Sequence, residues 1–179
     1  MISTNVQKMG GVVASLVSIL ALSHPAKAVT LFGNYSSTND GSGTTFFSAN
    51  IGAKATGFTL PVGTNYTLDS ILLRLESYNT TAGDVVQLRI YRDSAKTSTS
   101  PIGTTLESLT FNNPISGSDT AGNFNFTPTT AFTFLADTRY WLVMTVPSVP
   151  SDSVTWRSNS PSVTPTGISG MVNNGYQFD

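Results

Sequence analysis

Cysteine is missing from this sequence altogether, and the one histidine, His24, lies in a stretch that reads as a leader. Residues 1–22 carry a single positive charge at Lys8, ahead of a mostly apolar run from Met9 to Leu22, and the stretch to residue 28 closes on Ala26-Lys27-Ala28. Charged, apolar and small-residue segments in that order form the pattern of a secretory signal peptide, with A-x-A placing the cut after Ala28. The apolar run is 14 residues long, short of the roughly 20 a bilayer span needs. Cleavage removes His24. A mature chain without imidazole or thiol cannot build a His-based triad, a cysteine nucleophile or a conventional zinc site. Nor can it form disulfides, although an exported protein meets conditions that permit them. Its stability has to come from a packed core.

Charge is scarce too. Lys8 and Lys27 leave with the leader, so seven basic residues face ten acidic ones. Sparse, slightly acidic charge excludes nucleic acid as a partner, because phosphate backbones select clusters of Lys and Arg. The last absence is helical periodicity, which outside the leader never exceeds two turns. Thr, Ser, Gly and Asn are what remains in quantity, Thr for exposed strand faces and the others for turns. Residues 29–179 therefore predict one all-β domain, long enough for a sandwich or barrel of about eight strands.

The strongest strand signal is 131–146, AFTFLADTRYWLVMTV. It reads as a hairpin: a short strand, a turn at Ala136-Asp137, and a long strand closed by Pro147. Tyr140, Leu142, Met144 and Val146 share one parity, and Arg139, Trp141, Val143 and Thr145 the other. Earlier, 29–35 (VTLFGNY) predicts a first strand and 36–45 (SSTNDGSGTT) a polar loop. Phe46-Phe47 and 53–60 (AKATGFTL) bracket a second strand region ended by Pro61-Val62-Gly63. Residues 66–77 place Ile71, Leu73 and Leu75 on one face, residues 84–92 do the same with Val86, Leu88 and Ile90, and the turn at 77–83 suggests an antiparallel hairpin. Residues 102–111 change parity between Leu106 and Leu109, predicting a break near Ser108. Phe124 and Phe126 mark a short strand ended by Pro128, and 153–159 (SVTWRSN) a last clear one with Val154 and Trp156 in the core. Strands at this spacing predict a single antiparallel β-sandwich, jelly-roll or Greek-key in connectivity.

The ordered set YTLDSILLRLES, DVVQLRIYRDSA, SPIGTTLESLTF, GNFNFTP, AFTFLADTRYWLVMTV and VTWRSNS resembles the bacterial secreted proteins called choice-of-anchor R domain proteins, from Val29 to the end. The resemblance implies a signal peptide, one β-sandwich domain and export to the envelope or beyond, commonly with a PEP-CTERM sorting tail. It carries no enzymatic residues. Residues after Ser160 contain neither an apolar helix nor a basic tail, so no membrane anchor is visible. Gly175-Tyr176-Gln177-Phe178 reads as the start of a strand that lacks a ladder partner, so the expectation is a domain truncated there or a protein that is released.

One catalytic scheme survives this composition, hydrolysis by paired carboxylates. Glu76 and Glu107 are the only glutamates, Glu76 on an outward parity where a solvated face is its ordinary fate. Outward aromatics suggest a carbohydrate platform instead, with Trp141 and Tyr91 stacking a sugar ring and Arg139 and Arg89 bonding its hydroxyls. Trp141 could equally lie under a loop. Structural calcium is a third option, held by loop oxygens of Asp40 and Asp93, with turn chemistry as the default reading and no other cofactor expected. Taken together, the leader pattern, the inert composition and what the resemblance implies point to a non-catalytic structural or adhesive module, secreted or envelope-associated. Extracellular polysaccharide or envelope proteins are its expected partners, and a carbohydrate-binding module is the alternative.

Overall fold

A computed structural model of the chain describes residues 29–33, 40–47, 52–150, 153–159 and 163–178. The expected leader and its expected cleavage site after Ala28 lie outside the described residues. Two five-stranded antiparallel sheets make up most of the rest, and the described residues contain no helix. The back sheet runs in the order β2 (Asp40–Phe47), β12 (Ser153–Asn159), β5 (Ile71–Glu76), β9 (Gly122–Pro128) and β8 (Phe111–Asn112). The front sheet runs β14 (Val172–Phe178), β3 (Ala53–Thr59), β11 (Arg139–Ser148), β6 (Val85–Asp93) and β7 (Thr105–Leu106). Two short ladders close the ends: β1 (Phe32–Gly33) with β13 (Thr166–Gly167), and β4 (Tyr66–Thr67) with β10 (Thr133–Phe134).

The pairing is nested. Along the chain β2 joins β12, inside it β3 joins β11, then β5 joins β9, and innermost β6 joins β7. Eight strands paired first-to-last in this way and divided between two facing sheets form a jelly roll. Of the two expected connectivities this is the one adopted.

The predicted parities hold where the two inner faces meet. Leu73, Leu75, Phe124, Phe126 and Val154 from the back sheet pack against Val86, Leu88, Met144 and Val146 from the front. Toward one end the core turns aromatic, with Phe58, Phe134 and Tyr140 in edge or tilted contacts and Phe32 stacked on Phe58 at 5.2 Å. The predicted break after Leu106 is present too: Leu106 is exposed, Leu109 is buried, and no ladder links β7 to β8.

Four local expectations are overturned, three because a more distant partner takes the strand and one because the ladder tolerates a proline. Residues 131–146 do not form a hairpin. The turn at Ala136-Asp137 exists, with Asp137 at φ 52°, but both edges of β11 are occupied by β3 and β6, so β10 pairs with β4. The strands on either side of 77–83 also fall in opposite sheets, since β5 pairs with β12 and β9 while β6 pairs with β11 and β7. Facing one another across the core buries both apolar stripes, which lying side by side would not do. The polar stretch 36–45 is strand from Asp40 onward, supported by β12. Small residues suit it, because a Cβ at Gly43 would collide with the Trp156 carbonyl. Pro147 does not end β11. The ladder with β6 shifts register between Thr145 and Ser148, an irregularity that accommodates a residue without an N–H.

Two further differences are smaller. Of the predicted first strand only Phe32–Gly33 joins a ladder among the described residues. At the other end, the segment expected to lack a ladder partner belongs to β14, which pairs with β3.

Candidate functional site

The outer face of the front sheet follows from the ladder registers. Along β11 its residues are Arg139, Trp141, Val143 and Thr145, flanked by Asp93, Tyr91, Arg89 and Gln87 on β6 and by Thr59, Gly57, Ala55 and Ala53 on β3. Small residues on β3 leave a trough. Trp141 lies in it against Gly57, with Ala55, Val143 and Tyr91 around it, and is 0% exposed. The indole therefore presents no face to a ligand, and the sugar platform centred on Trp141 is corrected on that ground. Its parity is outward as expected, but the face is covered.

The connection between β6 and β7, residues 94–104, folds back on this face. Buried Asp93 fastens it: one carboxylate oxygen accepts the Ser98 amide at 2.9 Å and lies 3.5 Å from the Arg139 guanidinium, which also donates to the Ser98 carbonyl. Lys96, at φ 56°, reaches across to Asp137 at 2.6 Å. Further along, Thr104 donates from its amide and its hydroxyl to the Pro101 carbonyl, making a tight turn with Gly103 at φ 80°. Ile102 stands at the tip, 74% exposed.

Between this turn and the sheet runs a groove of about 260 Å3. Ala53, Ala55, Val143 and Thr145 form its floor, Arg89 and Tyr91 one flank, and residues 100–104 the wall. A second hollow of about 270 Å3 lies within the loop's own curl, between Arg92, Asp93 and Thr97. The structure thus separates the four residues expected to recognise sugar. Tyr91 and Arg89 line the groove, Trp141 is buried in the trough beside it, and Arg139 is occupied in fastening the loop.

The other candidates are dispersed. Asp93 serves Arg139 and Ser98, and Asp40 lies on β2 in the opposite sheet, its side chain outside what is described. Among the described residues no group of three or more His, Cys, Asp or Glu could hold a metal ion. Glu76 pairs with Arg157 at 3.0 Å on the back sheet, whereas Glu107 pairs with Arg92 at 2.9 Å beside β7. Neither glutamate lines the groove.

Lys54 is a feature that the sequence reading passed over. It sits on the inner face of β3, 9% exposed, with its ammonium 4.7 Å from the centre of the Trp156 ring on the facing sheet. Burial lowers its pKa from 10.5 to about 8. The signal was available, because Lys54 shares parity with core residue Phe58. Burial also raises the hydroxyls of Tyr78 and Tyr140, Asp84 adding to the effect at Tyr78, even though Tyr140 accepts the Leu135 amide at 2.8 Å.

No family model matches this chain, and no curated protein or solved structure matches it.

Proposed function

We propose that this chain is a non-catalytic adhesive module, exported to the bacterial cell envelope or extracellular matrix, and that the groove beneath the β6–β7 loop is its binding element. The lining of the groove carries the reading: the Tyr91 ring, a guanidinium, the hydroxyls of Ser100, Thr104 and Thr145 and an apolar floor, with no carboxylate among the described lining residues. Glycoside hydrolysis needs two carboxylates flanking the substrate within roughly 5–10 Å of each other. Here the glutamates are paired with arginines on different sheets. Such a lining can hold a polar ligand without acid–base chemistry on it, which fits adhesion. Export and the envelope setting rest on the leader pattern and on the resemblance to choice-of-anchor R domain proteins.

The test is a titration of the full chain with neutral and acidic polysaccharides, following Trp emission together with release of reducing ends. Saturable binding without chain cleavage, lost in Tyr91→Ala with the fold intact, is the expected result. Cleavage that disappears in Glu76→Gln or Glu107→Gln would replace this reading with a hydrolase.

A further inference from the structure

Among the described residues, Arg89 is the only charged one lining the groove. Its hydrogen bond runs to the amide oxygen of Gln87 at 2.9 Å, a neutral partner that leaves the guanidinium charge uncompensated. The contrast lies in its neighbours on the front sheet. Arg92 and Arg139 each have a carboxylate within 3.5 Å, whereas no described carboxylate forms an ion pair with Arg89. The fold keeps this cation open at one edge, because β7 pairs only with Tyr91 and Arg92 and its ladder stops short of Arg89. A half-buried guanidinium facing a concavity with no counter-ion favours an anionic ligand, and its planar fork matches a carboxylate.

Extending the binding reading of the groove, we propose that its ligand is a carboxylate-bearing sugar, a uronate unit of an acidic polysaccharide. Arg89 takes the carboxylate and the Tyr91 ring takes the sugar face. Hydroxyls of Ser100 and Thr145 line the groove to exchange hydrogen bonds with the ring hydroxyls, while that of Thr104, donating to Pro101, can only accept one. Two features favour a sugar over an acidic peptide. The floor lies on β3 and β11, which are paired to one another there, so it offers no main-chain edge for strand addition within itself; the open edge is that of β6 beside Arg89, at the flank. The apolar part of the floor is also made of short side chains, Ala53, Ala55 and Val143.

The experiment uses calorimetry on the full chain with polygalacturonate, carboxyl-reduced polygalacturonate, dextran, monomeric galacturonate and poly-glutamate. Binding is expected for polygalacturonate, weakly for its monomer, and not for the carboxyl-reduced polymer or dextran. Arg89→Gln should weaken polygalacturonate binding about tenfold or more and Arg89→Lys less, since a lysine keeps the charge and loses the fork. Unchanged melting would show that both variants fold. Equal binding of dextran that survives Arg89→Gln but not Tyr91→Ala overturns the uronate proposal and leaves the groove as a sugar site. Polyuronate binding that survives Tyr91→Ala overturns both readings. Poly-glutamate binding as tightly as polygalacturonate, with Arg89→Gln abolishing both, assigns the groove to an acidic peptide, and no binding of polygalacturonate by folded protein also ends the proposal.

Discussion

A Cβ at position 57 would lie 2.7–2.9 Å from three carbons of the Trp141 indole. Because the indole is fully buried and cannot retreat, Gly57→Ala is expected to lower stability by about 1–3 kcal/mol, the usual cost of overpacking. Urea unfolding checks this, with Gly117→Ala as control, since the nearest atom there is an ordinary 3.5 Å away. Lys54 gives a prediction in pH. Its folded pKa of about 8 lies below the unfolded value of 10.5, so between the two the unfolded chain binds the extra proton and stability rises with pH. A gain of roughly 1–3 kcal/mol from pH 7 to pH 10 is expected, and Lys54→Met should flatten it. Above pH 10 the sign reverses for Tyr78 and Tyr140, whose raised folded values keep protons that the unfolded chain has lost. A wild-type curve without a rise between pH 8 and 10 would contradict the burial of the ammonium.

Among the elements, the β6–β7 loop is tied to the sheet by the Asp93–Arg139 ion pair. Asp93 is 6% exposed and binds both Ser98 and Arg139. Asp93→Ala leaves the guanidinium without its carboxylate, and a loss of about 3 kcal/mol or more is expected. The amides of residues 98–104 should exchange faster and the Trp141 emission should move to the red as the loop loosens. The double variant Asp93→Ala/Arg139→Met should recover most of the loss, because it removes the stranded charge as well. Failure to recover would place the stability of the loop elsewhere, for instance in the Lys96–Asp137 contact.

For the molecule as a whole the nested pairing sets the folding problem. Thr45 and Thr155, whose hydroxyls meet at 2.9 Å, are 110 residues apart in sequence. Closing such pairings requires large loops to be ordered before any contact rewards them, so refolding is expected in milliseconds to seconds. Stopped-flow fluorescence measures this, and submillisecond refolding would be inconsistent with β2–β12 pairing in the rate-limiting step. Leu75 lies at the centre of the shared core and is fully buried. Leu75→Ala should cost about 2–5 kcal/mol.

The class of fold and the inward faces were legible before any tertiary contact is known. Alternation in β5, β6, β9 and β11 is a property of each segment, since a pleated strand between core and solvent imposes a period of 2 whatever it pairs with. Tyr91 and Arg89 were legible as outward residues for the same reason. Pairing was not legible, because a ladder is chosen by competition among strands distant in sequence. The apparent hairpins at 77–83 and 136–137 were locally sound and lost to the jelly roll's nested partners. The fate of Trp141 was likewise a tertiary matter. Parity placed it outward, but only the juxtaposition of β3 with β11, bringing Ala55 and Gly57 beside it, buried the indole and moved the candidate site to the groove of Tyr91 and Arg89.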